Sequence, residues 1–292
     1  MRTKATKAGS ILLLLLTVIC STKGRELFHT AYSQTVNNQT ARTEPLTIEH
    51  DGRRTYGMLS RPAQSAGKTP LVIVSHGFNG THNVGRNYCQ SLTSMGYQVY
   101  AFDFNCGSVN SRSDNNTMNM SLLDEVRELK TIVRHFKKQP DIDPRHIVLI
   151  GESQGGLVSA LTAADMSKDI DKLILVFPAL CIPDNWRDRY PSISDIPDTT
   201  KLWGVQIGRR YFEEIHDMKP LEMIGKYRRP VLIIQGDADK VVSMEDSKKA
   251  VNEVYKDARL HVIPGAGHGF RPAEQQEAAI QIERFLKQRK GK

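Results

Sequence analysis

Short runs of almost wholly apolar residues alternate along this chain with stretches that have the periodicity of amphipathic helices. One helical stretch, residues 120–138, places apolar side chains at Leu122, Val126 and Leu129 and polar side chains on the opposite face. Strands that are apolar throughout must be covered on both faces, so the alternation predicts a mostly parallel, doubly wound α/β sheet. The apolar runs are residues 69–77, 98–104, 146–150, 172–178, 230–236 and 258–264.

The amino-terminal residues follow a different pattern. Residues 1–24 begin with three basic side chains, continue with an apolar run over residues 11–20, and end with small and polar residues that include Lys23. That run is too short to span a bilayer, and its order is typical of a secretory signal. The sequence therefore predicts an exported protein, periplasmic or secreted; a membrane anchor and a lipid-modified Cys20 are the alternatives. Residues 25–43 are mostly polar, so we expect them to form a loose segment before a folded domain that begins at residue 44.

Charge and cysteine content exclude some classes of protein. The formal net charge is +8, of which residues 1–24 carry +4, and no basic run indicates nucleic-acid binding. Cys89, Cys106 and Cys181 lack the spacing of a zinc site and are predicted to be buried or idle thiols, with a disulfide between two of them left open.

One segment, residues 179–228, interrupts the alternation and is too long for an ordinary connection. It is rich in proline, aspartate and aromatic residues. We expect it to form a small cap over the carboxyl edge of the sheet, where open α/β sheets bind ligands. The alternative is an insertion that only stabilises the fold.

The segment GESQGG, residues 151–156, joins a predicted strand to a predicted helix. A serine nucleophile needs such a sharp turn to expose its hydroxyl, and the turn crowds the positions two residues away on each side. Gly151 and Gly155 relieve that crowding. The pattern predicts Ser153 as a nucleophile and directs the N–H of Gln154, at a helix amino terminus, towards a developing oxyanion.

An acid and a base follow the serine in the order expected of a catalytic triad. Asp239 lies just after the strand that ends at residue 236, and His268 lies after the next strand. His268 is the predicted base, and Asp239 would fix its tautomer. Asp237 is the competing acid, with local turn hydrogen bonding as its alternative role.

A second oxyanion donor is predicted at the end of another strand. The N–H of Phe78 follows the dipeptide His76-Gly77 there and can point towards the same oxygen. His76 itself is predicted to fix the loop rather than to act in catalysis.

Together these motifs resemble those of the α/β-hydrolase superfamily over nearly all of the chain after residue 24. Within it the chain is most similar to the cinnamoyl/feruloyl esterase-like branch, whose small cap the insertion also resembles. The motifs that carry the resemblance are HGFNG (76–80), GESQGG (151–156), GDADKVV (236–242) and GAGHGF (265–270).

The resemblance implies an α/β-hydrolase domain over residues 44–292, with a triad of Ser153, Asp239 and His268 and with Phe78 and Gln154 as oxyanion donors. It implies neither a metal nor an organic cofactor. Trp203 is the expected aromatic contact of the cap with the acyl group, because Gly204 follows it in what reads as a surface turn.

Two features depart from the branch. Glu152 stands where the branch often has histidine, and the same glutamate occurs in prolyl-oligopeptidase-like enzymes. Residues 103–114 differ from the glycine-rich loop that is more usual there.

These motifs predict an exported serine hydrolase that cleaves carboxylic esters, aryl or hydroxycinnamoyl esters above all, through an acyl-enzyme on Ser153. Its substrate would be a small-molecule or polysaccharide-linked ester. The alternative is a serine exopeptidase of the prolyl-oligopeptidase-like type, which would need Asp184, Glu213 or Glu214 to bind the substrate amine. A third hypothesis is a non-catalytic binding protein on the same fold, and the presence of all three triad residues argues against it.

Overall fold

The structure, a computed structural model, describes residues 41–65, 67–114 and 116–288. The predicted signal over residues 1–24, including Cys20, lies outside the described residues, as does most of the predicted loose segment over residues 25–43. The first strand begins at Arg42, so the last residues of that segment are already part of the sheet.

Ten strands occur among the described residues, and eight of them form one sheet in the order β1-β2-β4-β3-β5-β6-β9-β10. The strands are β1 (Arg42–His50), β2 (Arg53–Arg61), β3 (Thr69–Ser75), β4 (Gln98–Phe102), β5 (Ile142–Glu152), β6 (Lys172–Val176), β7 (Thr199–Leu202), β8 (Val205–Gly208), β9 (Val231–Gly236) and β10 (Ala258–Ile263). The hairpin β1–β2 is antiparallel, as is the pair β2–β4, and the remaining pairs of this sheet are parallel. The predicted α/β-hydrolase fold with a mostly parallel sheet is therefore confirmed.

Helices cover both faces of the sheet. They are α1 (Cys89–Ser94), α2 (Leu122–Lys137), α3 (Gln154–Asp165), α4 (Ile182–Arg189), α5 (Arg209–Ile215), α6 (Pro220–Ile224), α7 (Met244–Lys249) and α8 (Pro272–Lys287). Alternate side chains of β3 point to opposite faces. Ile73 packs into the cluster that includes α2 and α3, whereas Val74 packs into the cluster that includes α1 and α8.

The predicted cap segment, residues 179–228, contains α4, the two-stranded antiparallel sheet β7–β8, α5 and α6. Three of its rings pack on one another: the Trp186 ring lies 4.5 Å from that of Phe212 and 6.0 Å from that of Tyr190, centroid to centroid. Trp186 and Phe212 belong to the same buried cluster as the residues of α2 and α3, and Tyr190 packs against it, so the aromatic residues of the cap extend the core on that face of the sheet.

The three cysteines of the described chain, Cys89, Cys106 and Cys181, are all free thiols, and the latter two are buried. This arrangement agrees with the prediction of buried or idle thiols. Among residues 41–65, 67–114 and 116–288, no helix is long and apolar enough to cross a membrane.

Candidate active site

Ser153 lies at the tip of a sharp turn between β5 and α3, with φ 52° and ψ −119°. Its neighbours two residues away must be glycine. A Cβ at Gly151 would collide with the carbonyl oxygen of Gly155, and a Cβ at Gly155 would collide with the carbonyl oxygen of His76. The backbone strain at Ser153 is therefore held in place by the packing of the turn against β3.

Ser153, His268 and Asp239 form one hydrogen-bonded chain across the carboxyl edge of the sheet. Ser153 Oγ lies 3.0 Å from His268 Nε2, and His268 Nδ1 lies 2.9 Å from Asp239 Oδ2. An ionised carboxylate can only accept, so Nδ1 carries the proton that is donated to Asp239. Nε2 of the neutral ring is then left to accept from the serine hydroxyl, which is the arrangement a general base needs.

The side chain of Asp239 is fully buried and fixed on its other oxygen as well. Asp239 Oδ1 accepts from the backbone N–H groups of Val241 at 2.8 Å and Val242 at 3.0 Å. Asp237, the competing acid of the sequence, instead accepts from the backbone N–H of Gly265 at 2.6 Å. The structure thus brings Asp239 to the histidine, whereas Asp237 connects its loop to the loop that follows β10, 28 residues further along the chain, rather than bonding within its own turn.

The loop that carries Phe78 runs directly against the serine. A Cβ at Gly77 would lie 2.9 Å from Ser153 Cβ, so only glycine permits this approach. His76 fixes the loop, since its Nδ1 donates to the carbonyl oxygen of Gly77 at 2.7 Å and its Nε2 accepts from the N–H of Phe104 at 3.1 Å. Burial lowers the pKa of His76, which keeps the imidazole neutral, as this pair of bonds requires.

Gln154, the other predicted donor, is the first residue of α3. The amino terminus of a helix leaves backbone N–H groups without intrahelical acceptors and carries a partial positive charge. Phe78 and Gln154 both line the cleft into which Ser153 opens. The placement of these residues suits them to stabilise negative charge on a carbonyl oxygen at this point.

A cleft of about 230 Å³ opens in front of Ser153, between the carboxyl edge of the sheet and the cap. Its walls are mostly apolar and include Trp186, Trp203 and Tyr211 from the cap. Among the described residues that line it, Arg189 is the only charged one. Such a cleft suits an uncharged or anionic acyl group better than a cationic one.

Trp203 differs from the other aromatic residues of the cap. It sits with Gly204 in the turn of the β7–β8 hairpin, where both residues have positive φ, 46° and 87° respectively. Its side chain is 67% exposed and meets the Phe78 ring edge-to-face at 5.7 Å. Trp203 therefore lies at the mouth of the cleft, in the surface turn that the sequence predicts.

The acidic side chains considered as amine anchors are engaged elsewhere. Asp184 pairs with Arg187, Glu213 with Arg209, and Glu214 with Arg210. These pairs lie on the surface of the cap, and none of the three acids lines the cleft.

Glu152, which departs from the esterase-like pattern, turns away from the cleft. It accepts from the hydroxyl of Tyr88 at 2.5 Å, and burial raises its pKa. Its position next to the nucleophile thus reflects packing against Tyr88 rather than contact with the cleft.

Two buried acids beneath the site were missed in the sequence. Glu125 and Glu128 lie on the buried face of α2, and burial raises their pKa values to about 8 and about 7 respectively. Glu128 is bonded to Thr55 and Asn105, whereas Glu125 accepts from the side chain of Gln154. The sequence did contain a signal for them, because their helical spacing places them on the same apolar face as Leu122 and Leu129. Charged residues seldom occupy a buried helix face, so such a position marks them as unusual.

The replacement Glu125→Gln should stabilise the protein more at pH 8.5 than at pH 5. The unfolded carboxyl loses its proton near its ordinary pKa of 4.5, whereas the folded one keeps it up to about 8. Wild-type stability therefore falls as pH rises through that window, and a glutamine cannot ionise. We measure the unfolding free energies of the variant and of the wild type by urea unfolding at both pH values. The difference between them should favour the variant by at least about 1 kcal/mol more at pH 8.5 than at pH 5.

A suitable control for this measurement is Glu222→Gln, because Glu222 is exposed on α6. This variant removes one exposed carboxylate, so it shows how much of any change comes from the loss of one negative charge alone. An equal pH dependence of the wild type and of Glu125→Gln would contradict the raised pKa.

Among the described residues, no cluster of three or more histidine, cysteine, aspartate or glutamate side chains is placed to hold a metal ion.

Comparison with known proteins places the chain among hydrolases. The Dienelactone hydrolase family matches residues 56–287. The structure of Est1E from Butyrivibrio proteoclasticus with ferulic acid bound is 25% identical, with a TM-score of 0.74 over 83% of this chain and 100% of that one.

Two curated bacterial relatives are more distant in sequence. A putative carboxymethylenebutenolidase of Yersinia pestis is 23% identical over 247 residues, which are 80% of this chain and 82% of the relative. The uncharacterized peptidase YtmA of Bacillus subtilis (strain 168) is 21% identical over 248 residues, 82% of this chain and 91% of the relative.

Proposed function

Because the chain belongs to the dienelactone hydrolase family of α/β-hydrolases, we propose that it is a serine-dependent hydrolase of carboxylic esters, with aryl or hydroxycinnamoyl esters as its preferred substrates. The observation that carries the proposal is the hydrogen-bonded chain from Asp239 through His268 to Ser153, whose side chain lines a mostly apolar cleft. The likeness to Est1E, whose structure holds ferulic acid, supports the choice of acyl group.

In the proposed reaction His268 takes the proton of Ser153 Oγ as that oxygen attacks the acyl carbon. The N–H groups of Phe78 and Gln154 stabilise the oxyanion that forms, and loss of one such donor typically costs ~10²–10³ in turnover. His268 then protonates the leaving alcohol, and afterwards it activates the water that releases the acid from Ser153.

The serine exopeptidase remains the alternative, and the name of the Bacillus relative gives a reason to test it. It is less well supported, because the acids that could bind a substrate amine are paired with arginines outside the cleft. A panel of methyl ferulate, short-chain nitrophenyl esters and aminoacyl-nitroanilides separates the two. Turnover of the esters alone supports the proposal, whereas faster turnover of the anilides would overturn it.

We also propose that the protein is exported. This proposal rests on the basic and apolar pattern of residues 1–24 alone.

The replacement Trp203→Ala should lower kcat/KM for methyl ferulate by about tenfold and for nitrophenyl acetate by less than about twofold, since an aromatic contact contributes ~0.5–1.5 kcal/mol beyond burial. A flat aromatic acyl group can lie against this exposed ring at the mouth of the cleft, whereas an acetyl group has no ring to place against it. Steady-state kinetics on both esters measures the difference.

The matched control is Trp203→Phe, which keeps a ring at the same turn and should retain most of the preference. An equal loss on both esters in the alanine variant would mean that Trp203 supports the fold, and no loss on either would exclude it from acyl recognition.

A further inference from the structure

The side chain of Gln154 is held from two sides. Its Oε1 accepts from the hydroxyl of Tyr211 at 2.9 Å, and its Nε2 donates to both carboxyl oxygens of Glu125, each at 2.9 Å. All three residues are buried, with exposures of 3% for Gln154, 1% for Tyr211 and 3% for Glu125. The carboxamide is therefore immobilised away from water at both of its ends.

The two partners belong to different parts of the fold. Tyr211 lies on α5 of the cap, and Glu125 lies on α2, which packs against the sheet. The carboxamide of Gln154 thus connects the cap to the helix beneath the nucleophile. Tyr211 also lines the cleft, so the same side chain touches the space that the acyl group would occupy and the residue that follows Ser153.

The backbone of Gln154 matters more for the proposed chemistry than its side chain does. The carbonyl of the peptide between Ser153 and Gln154 accepts from the N–H groups of Gly156 and Ala179, each at 2.9 Å, whereas the N–H of that peptide, at the first residue of α3, has no acceptor in a preceding helical turn. An oxyanion donor works only when it points to where charge develops, and a small displacement has a large effect on the rate. A side chain clamped at both ends is one way to fix that peptide.

We propose that Tyr211 is a positioning residue for the oxyanion hole: through its hydrogen bond to the Gln154 side chain, it aligns the backbone N–H of Gln154 with the oxyanion. The inference rests on the proposed ester hydrolysis at Ser153. Burial raises the pKa of Tyr211 well above its ordinary value, so the phenol keeps the proton that it donates throughout the working pH range.

A phenylalanine at position 211 would keep the ring and remove only the hydroxyl. It would leave the buried Oε1 of Gln154 without its donor, which is an unfavourable arrangement for a buried polar atom. The carboxamide could then turn towards another partner, and the peptide attached to it would lose its alignment.

The experiment compares Tyr211→Phe with Tyr190→Phe. Tyr190 is another cap tyrosine, whose hydroxyl is bonded to Thr200 Oγ1 at 3.0 Å and which does not line the cleft. For Tyr211→Phe we expect kcat on nitrophenyl acetate to fall about tenfold, with KM within about twofold of wild type. For Tyr190→Phe both constants should stay within about twofold.

A trifluoromethyl ketone gives a second readout. Ser153 Oγ adds to the ketone carbon, its proton passes to His268, and the carbonyl oxygen becomes a hemiketal oxyanion that needs the same N–H donors. Its inhibition constant should rise about tenfold in Tyr211→Phe, in step with the loss of kcat. The inhibition constant of the matching secondary alcohol, which forms no oxyanion, should not change.

Several results would overturn the inference. A rise in KM with unchanged kcat would make Tyr211 only a wall of the cleft, and equal behaviour of the two tyrosine variants would remove its link to the oxyanion. If Tyr211→Phe does not fold, the variant Gln154→Met tests the inference instead. It keeps the backbone N–H of residue 154 and removes both side-chain hydrogen bonds. An unchanged kcat in this variant would overturn the inference. A wild type inactive on every ester would overturn the proposed function itself, and the inference with it.

Discussion

The replacement Ser153→Ala should abolish ester hydrolysis and leave the folded protein intact. Removal of a triad serine lowers kcat by on the order of 10⁶ in comparable enzymes. The serine hydroxyl makes one hydrogen bond, to His268, and the side chain is half-buried at the tip of the turn. Its loss should therefore change the unfolding free energy by less than about 1 kcal/mol.

Two measurements test this expectation together. Turnover of nitrophenyl acetate by purified variant and wild type gives the loss of activity, and thermal unfolding gives the change in stability. Full activity in the variant would exclude Ser153 as the nucleophile. A large fall in Tm would instead mean that the serine has a structural role.

The strand-ends of the fold explain why so much of the site could be predicted. A parallel sheet brings the carboxyl ends of its strands to one edge, so Ser153, Asp239 and His268, each at or just after such an end, were expected to meet there. The need for glycine at positions 151 and 155 could also be predicted, for a different reason. A tight turn leaves no room for a side chain two residues away, and this restriction depends on local backbone geometry alone.

The contacts around Gln154 could not be predicted in this way. Tyr211 and Glu125 are 57 and 29 residues from it in the chain, and their meeting depends on how the cap and α2 pack around one buried carboxamide. Sequence patterns describe which face of a helix is buried, but they do not say which polar side chains will face one another inside. The role of Glu152 was obscure for the same reason, since its partner Tyr88 is 64 residues away.

Replacement of the triad acid, Asp239, should also cause a large loss of activity. The replacement Asp239→Asn should lower kcat/KM by on the order of 10⁴, although the side chain keeps its size and shape. The reason lies in the two bonds that Oδ1 of Asp239 accepts from the backbone N–H groups of Val241 and Val242. An asparagine must place its one oxygen there, so its NH₂ group faces His268 Nδ1.

Two donors cannot share one hydrogen bond, so His268 would take the other tautomer. Nδ1 would then accept from the asparagine, and Nε2 would carry the proton and face Ser153 Oγ, which it can no longer deprotonate.

The matched control is Asp237→Asn. Its single bond from the N–H of Gly265 survives the change, because an amide oxygen can accept it, and activity should stay within about threefold. Kinetics of both variants with nitrophenyl acetate decides the assignment. If Asp237→Asn proved the more damaging change, Asp239 would not be the acid that orients His268.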